Sequence, residues 1–223
     1  IGITGTNARP SVAPTFGTEN MLGTNALTFG MPTDEKFPFL LDYATSTTQR
    51  GKIEVYAKLG KKMPKGWVLN DAGEARTDSR AVLNELVAGT AALVPLGGIG
   101  EEMSGYKGYG YSTVVEILSA ALQQGAYMKL LLGIKDGKKV PYHLGHFFLA
   151  INIEAFTTLR SFKKIAGDIL RELRASKKMP GAKRIFTAGE KEYLERLYRR
   201  NRGVPLNRET QREIRAMQAE LGL

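Results

Sequence analysis

Two segments combine residue types whose spacing could do chemistry. In Gly105–Leu122, GYKGYGYSTVVEILSAAL, glycines at 105, 108 and 110 surround Lys107 and run into an amphipathic helical pattern. A glycine-rich loop lets the backbone approach a ligand closely, the first N–H groups of a following helix have no internal partner, and the lysine adds a point positive charge. That combination suits phosphate or carboxylate, and its plain alternative is a tight turn with a solvated lysine. In Phe37–Ser46, FPFLLDYATS, an apolar run reads as a buried strand ending in Asp42, with Thr45, Ser46 and Thr47 as possible caps of the helix that follows. Strand, acid, hydroxyl cluster and helix start is the layout of a ligand site at the carboxyl end of a strand in an open α/β sheet, and equally that of a plain capped helix.

Other candidates are weaker. His143 and His146 are the only histidines, and without a partner cluster they read as structural residues at a strand start rather than a metal pair. The chain has no cysteine, which excludes disulfides, thiolate nucleophiles and cysteine-based metal sites. Arg9 is a possible carboxylate anchor or a phosphate-facing surface residue. Trp67, the only tryptophan, reads as a packing residue.

The elements that must position these groups follow from periodicity. Ile1 and Ile3 alternate like the end of a strand, and Ala26, Leu27 and Phe29 lead into a loop at Met31–Lys36. A helix carries Ile53, Tyr56 and Ala57 and stops at Gly60 and Pro64; a short strand surrounds Trp67 and Val68, and Arg80–Val87 forms a short helix. Leu93–Gly100 is a Gly/Pro hinge. Beyond Tyr111 the spacing of Val114, Val115, Ile117, Leu118, Ala121 and Leu122 predicts a helix with these residues buried. Lys135–Lys139 reads as a polar loop and His143–Ile153 as a strand. Ala155–Lys178 forms a helix burying Phe156, Leu159, Phe162, Ile165, Ile169, Leu170 and Leu173, and two further helices span Gly189–Asn201 and Asn207–Glu220.

With 223 residues, 43% hydrophobic and 24% charged, the chain has the composition of an ordinary globular protein. No apolar run approaches the roughly 20 residues of a membrane helix and no signal segment is visible, so the reading is a cytoplasmic protein with no membrane partner. The net charge of +10 is lopsided: residues 151–223 hold 17 Lys+Arg against 9 Asp+Glu. There the bases interleave with acids at helical spacing, as on a solvated face, and no nucleic-acid motif accompanies them; a basic nucleic-acid binder remains a remote alternative. No GxGxxG lies between a strand and a helix, which disfavours a standard dinucleotide-binding βαβ unit.

The order of nine short segments resembles the type 2 malate/L-lactate dehydrogenase family of NAD(P)-dependent 2-hydroxyacid oxidoreductases, with its ureidoglycolate, sulfolactate and diketogulonate relatives. The segments are TNARP, LGTNALTF, LDYATS, GW with the later TD, PLGG, YKGYGYS, LGHFFLAI, MPGA and GVPL, in that order along nearly the whole chain. The resemblance implies an α/β fold in which helices pack on a mixed β-sheet, a non-Rossmann NAD(P)-binding fold of the sulfolactate dehydrogenase-like type. Residues 1–150 form the NAD(P)-binding unit and residues 151–223 the basic C-terminal helices packed on it. It implies hydride transfer between NAD(P)H and a 2-keto or 2-hydroxy acid, most simply oxaloacetate and malate, by a homodimer.

Carried over by position, the cofactor contacts are Asp42, Tyr43, Ala44, Thr45, Ser46, Lys107, Gly108, Pro180, Gly181 and Ala182. Asp42 would accept from ribose hydroxyls or the nicotinamide amide, and Lys107 would face an anionic group. Two positions depart from the family: Ala8 replaces a frequent serine, and Ala182 replaces the glutamate of a common PGE. The family's acid/base histidine lies upstream of Ile1, so no catalytic residue is assigned within this chain, which reads as the C-terminal part of a longer enzyme. The alternative is a non-catalytic cofactor-binding or dimerisation subunit.

Overall fold

The computed structural model describes residues 1–223. In chain order the elements are β1 (Gly2–Thr6), β2 (Ala26–Met31), β3 (Phe39–Tyr43), α1 (Arg50–Lys58), β4 (Val68–Asn70), β5 (Ala75–Arg76), α2 (Ser79–Ala88), β6 (Ala91–Leu93) and α3 (Gly105–Ala120). After two short 3-10 turns come β7 (Ile134–Lys135), β8 (Lys138–Lys139), β9 (His146–Ala150), α4 (Leu159–Ala175), α5 (Glu190–Arg199) and α6 (Arg208–Leu221).

The strands form a four-stranded sheet ordered β3-β2-β1-β9, a three-stranded sheet ordered β5-β4-β6, and the β7-β8 hairpin. Neighbouring strands are antiparallel, and the isolated bridge between Val12 and Leu93 supplies the parallel pairing. The β7-β8 turn places Asp136 and Gly137 at φ 50° and 74°, the left-handed pair that a two-residue hairpin loop of this hand needs. It stands where a polar loop was expected.

The main core lies where α1 and α2 pack beside the smaller sheet. Val12, Leu22, Ile53, Met63, Val68, Val82, Ala91 and Leu93 form one buried cluster, with Tyr56 and Trp67 packed against it. α2 is well delimited: Asp78 caps it by accepting from the N–H groups of Arg80 and Ala81, both at 3.0 Å, and Gly89 ends it at φ 78°.

Three expected elements differ. The Phe37–Asp42 strand is β3, an edge strand with partly exposed residues rather than a buried one: it pairs on one side only, with β2. The glycines before Tyr111 belong to α3 itself. Gly105 and Gly108 are needed because α3 lies directly on the Leu96–Gly100 segment: a Cβ at Gly105 would overlap the carbonyl of Gly98, and one at Gly108 the main chain of Leu96. The buried face of α3 is Ser112, Val115, Glu116, Ser119 and Ala120, while Val114, Ile117 and Leu122 are exposed. The polar face is inward because Glu116 is the acceptor of a network from the ends of β1 and β2.

α4 is shorter than its apolar pattern, beginning after the cap Thr158, and of its expected face only Leu170 is buried. Its attachment is ionic as well as apolar. Arg171 donates to both oxygens of Asp34 at 2.9 and 3.1 Å, and Arg174 pairs with Glu35. Arg171 holds the Asp34 carboxyl below the usual carboxylate range, and Lys164 and then Arg171 do the same to Asp168.

Candidate functional site

The chain after β3 leaves the sheet edge and crosses to α1, and between them lies a cleft of about 750 Å³. It is lined from the β3 side by Leu41, Asp42, Tyr43 and Ala44, from the connecting turn by Ser46, Thr47 and Thr48, and from α1 by Gly51 and Lys52. Leu96, from the segment beneath α3, and Tyr111, from α3, complete the lining.

The turn is built by its hydroxyls, which do not cap α1. Thr45 Oγ1 lies 3.1 Å from each of the Thr24 and Asn25 carbonyls, Ser46 Oγ donates to Thr48 O at 2.6 Å, and Thr47 Oγ1 donates to Pro95 O at 2.7 Å. These bonds fasten the segment to the start of β2 and to the loop beneath α3. The N-cap of α1 is Gln49, and no side chain caps the helix. The three hydroxyls expected to serve as caps therefore act as fasteners.

The cleft presents one carboxylate, one cation and aromatic edges. Asp42 is exposed and accepts from Thr28 Oγ1 at 2.8 Å, which orients it without removing its remaining acceptor capacity. Burial, and secondarily the neighbouring Tyr111, raise the pKa of Tyr43 above the ordinary tyrosine value, so its hydroxyl stays a proton-bearing donor at neutral pH. Lys52 reaches from α1 with its ammonium 4.7 Å from the centre of the Trp67 ring.

Of the ten expected contacts, Asp42, Tyr43, Ala44 and Ser46 line the cleft together. Thr45 is buried behind its wall. Lys107 is exposed on the first turns of α3, four residues before the lining Tyr111, and Gly108 seats the helix on the lining Leu96. Pro180, Gly181 and Ala182 form an exposed turn after α4 that is not part of the cleft wall. The chain returns to β3 only later: Leu40 N–H donates to Ala188 O at 3.4 Å, and Phe186, Lys191 and Asp42 line a neighbouring cavity of about 440 Å³. His146 Nδ1 is 2.7 Å from Thr6 Oγ1 on the sheet edge, and neither histidine lines the cleft.

Sequence reasoning missed Thr48, Lys52 and Tyr111. Lys52 carried a usable signal, a cation in the first turn of the helix after the acid, ten residues beyond Asp42. Tyr111 carried none, because its place in the wall depends on the docking of α3.

A family model described as malate/L-lactate dehydrogenase matches residues 1–215. The malate dehydrogenase of Pyrococcus horikoshii is 41% identical over all 223 residues, which cover 59% of that protein's length. Among solved structures, malate dehydrogenase from Entamoeba histolytica superposes with a TM-score of 0.92 at 44% identity, covering 100% of this chain and 62% of that one. Sulfolactate dehydrogenase from Methanocaldococcus jannaschii superposes with a TM-score of 0.75 at 30% identity, covering 100% of this chain and 59% of that one. The fold is thus that of the sulfolactate and malate dehydrogenases, and this chain spans about six tenths of the length of these relatives. The chain belongs to the malate/L-lactate dehydrogenase family.

Proposed function

We propose that the chain forms the cofactor-binding part of an NAD(P)-dependent oxidoreductase acting on a 2-keto or 2-hydroxy acid, with oxaloacetate and malate as the first pair to test. The observation that carries this reading is the cleft between β3 and α1. Its donor set fits a dinucleotide: a carboxylate for ribose or amide donors, a cation for an anionic group, aromatic edges for a ring, and the buried Thr48 hydroxyl, which has no partner in the fold.

When bound, the nicotinamide group supplies or accepts a hydride. The chain's own residues then orient it. Asp42, held by Thr28, accepts hydroxyl or amide hydrogens; Tyr43 donates its hydroxyl; Tyr111 and Leu96 keep water from one wall. Lys107, one turn before Tyr111, faces an anionic part of cofactor or substrate. We place the Pro180, Gly181 and Ala182 turn at the cofactor only in the assembled enzyme. No histidine lines the cleft, so in this reading the group that transfers the proton belongs to the rest of the enzyme.

We further propose a cytoplasmic homodimer with residues 1–150 as the NAD(P)-binding unit and residues 151–223 packed on it. No helix is long and apolar enough to cross a membrane, and exposed Ile165, Ile169 and Leu173 on α4 give a second copy an apolar face to cover.

The test is titration of the chain with NADH and with NADPH, followed by nicotinamide fluorescence. A saturable enhancement that Asp42→Ala weakens supports the reading. A chain that binds neither nucleotide overturns it.

A further inference from the structure

The chain buries two carboxylates, Glu116 and Glu190, each 4% exposed. Glu190 is met by the guanidinium groups of Arg184 and Arg174, as the burial of a charge demands. Glu116 meets no base. Its donors are all neutral: Asn25 Nδ2 at 2.8 Å on Oε2, and on Oε1 the Met128 N–H at 2.8 Å and, more distantly, Asn7 Nδ2 at 3.5 Å. Each oxygen of a carboxylate can accept about two hydrogen bonds, so Oε2 keeps acceptor capacity while no cation offsets the charge.

That carboxylate lines a cavity of about 360 Å³ at the end of α3. Ile117, Ala120 and Ala121, from the last turn of α3 and its cap, supply apolar wall, Tyr127 adds a half-exposed aromatic ring, and none of the lining residues is basic. The helix end adds to the field. α3 runs for 16 residues with no basic residue in its last turn, so the negative end of its dipole lies uncompensated beside the cavity. Met128 directs its N–H at the carboxylate from a left-handed backbone, φ 46°, which a residue other than glycine adopts at a cost. A buried charge, a helix C-terminus and an apolar wall thus face one cavity whose lining offers no cation.

We propose that this cavity is a binding site for an organic monocation of the primary alkylammonium class. The ammonium pairs with Glu116 at the negative end of α3, and the alkyl chain lies against Ile117, Ala120 and Ala121. Water is displaced from apolar wall at the same time as the buried charge gains its partner. The cavity shares no lining residue with the cleft between β3 and α1, so the site does not depend on the dinucleotide reading.

The test is calorimetric titration of the 223-residue chain at pH 7 with n-pentylammonium chloride, with 1-pentanol as the uncharged match and sodium chloride as the ionic-strength match. Pentylammonium should bind saturably at one site, about tenfold or more tightly than pentanol. Ala121→Phe fills the cavity from an exposed position without touching the Glu116 network, and should abolish saturable binding with the melting temperature kept. Glu116→Gln removes the charge at nearly constant shape, and should weaken pentylammonium by about tenfold while leaving pentanol unchanged. Equal affinity for amine and alcohol would make the cavity a plain apolar recess and overturn the proposal. Undiminished binding in Ala121→Phe, or no saturable binding in the wild type, overturns it as well. If Glu116→Gln does not fold, the ratio of amine to alcohol affinity and the Ala121→Phe titration decide.

Discussion

Asn25 Nδ2 donates to Glu116 Oε2 at 2.8 Å, joining the start of β2 to the middle of α3 across 91 residues of chain. Asn7, from the other GTN segment, approaches Oε1 of the same carboxylate at 3.5 Å, and Met128 N–H donates to it at 2.8 Å. The asparagines spend their other atoms on the main chain: Asn7 Oδ1 accepts from Gly145 N–H and Asn25 Oδ1 from Ala8 N–H. Glu116 is 4% exposed and has no basic partner, so neutral donors alone hold it. Glu116→Ala should therefore destabilise the fold by roughly 2 to 5 kcal/mol, because it removes the shared acceptor of the two asparagine amides, which keep only their bonds to the Ala126 and Ser112 carbonyls, and of the partly buried Met128 N–H. Urea unfolding measures this, and a loss under about 1 kcal/mol would contradict it.

Gly108→Ala tests the docking of α3 on the Leu96 segment. The added methyl would overlap the Leu96 main chain, which cannot rotate away as a side chain can, so a loss of roughly 2 kcal/mol is expected. Since Leu96 and Tyr111 form one wall of the cleft, nucleotide binding should weaken in parallel. Gly110→Ala, with open space around its Cβ position, is the control and should preserve both.

Asp42→Ala and Lys107→Ala separate the two sides of the site. Both residues are exposed, and each variant should weaken NADH binding by about tenfold with little change in melting temperature. An unchanged titration for Lys107→Ala removes that residue from the site and leaves Lys52 as the cation of the cleft.

Thr48→Val should keep or raise stability, by up to about 1 kcal/mol, because a methyl replaces a hydroxyl that has no partner. The same variant should bind NADH more weakly. Improved melting with undiminished binding would make the hydroxyl a packing compromise.

Acid should loosen the fold below about pH 4. The Ala81 and then the Arg80 N–H groups depress the Asp78 carboxyl pKa, as Arg171 does for Asp34. A depressed folded pKa contributes stability that is complete above the unfolded value, about 3.9, and is lost as pH falls through the folded one. Urea midpoints at pH 7, 5 and 3 should show the fall confined to the last interval, and Arg171→Gln should flatten it.

The parts of the fold that were legible in the sequence are those where local and tertiary demands agree. α1 declared itself by the apolar spacing of Ile53, Tyr56 and Ala57 and its stop at Gly60, and α2 as the short helix over Arg80–Val87, which the fold extends by one residue at each end to Ser79–Ala88. α3 was misread twice for one reason: its glycines and its inward Ser112, Glu116 and Ser119 make sense only against the Leu96 segment and the two asparagines, all distant in sequence. Phe37–Asp42 read as buried because an apolar run says nothing about how many neighbours a strand will have. In the site, Asp42 and its successors could be named in advance, since a strand end and the following turn are local. Arg9 reaches the start of α1 from a distant part of the chain, and that meeting is visible only in the fold.

The contact between Lys52 and Trp67 has a practical consequence. An ammonium against an indole ring perturbs its excited state, and this indole is the only one in the chain. Any anion that draws Lys52 into the cleft should alter the intrinsic emission, so the molecule carries an unlabelled optical gauge of its own charge state at the wall where a ligand arrives.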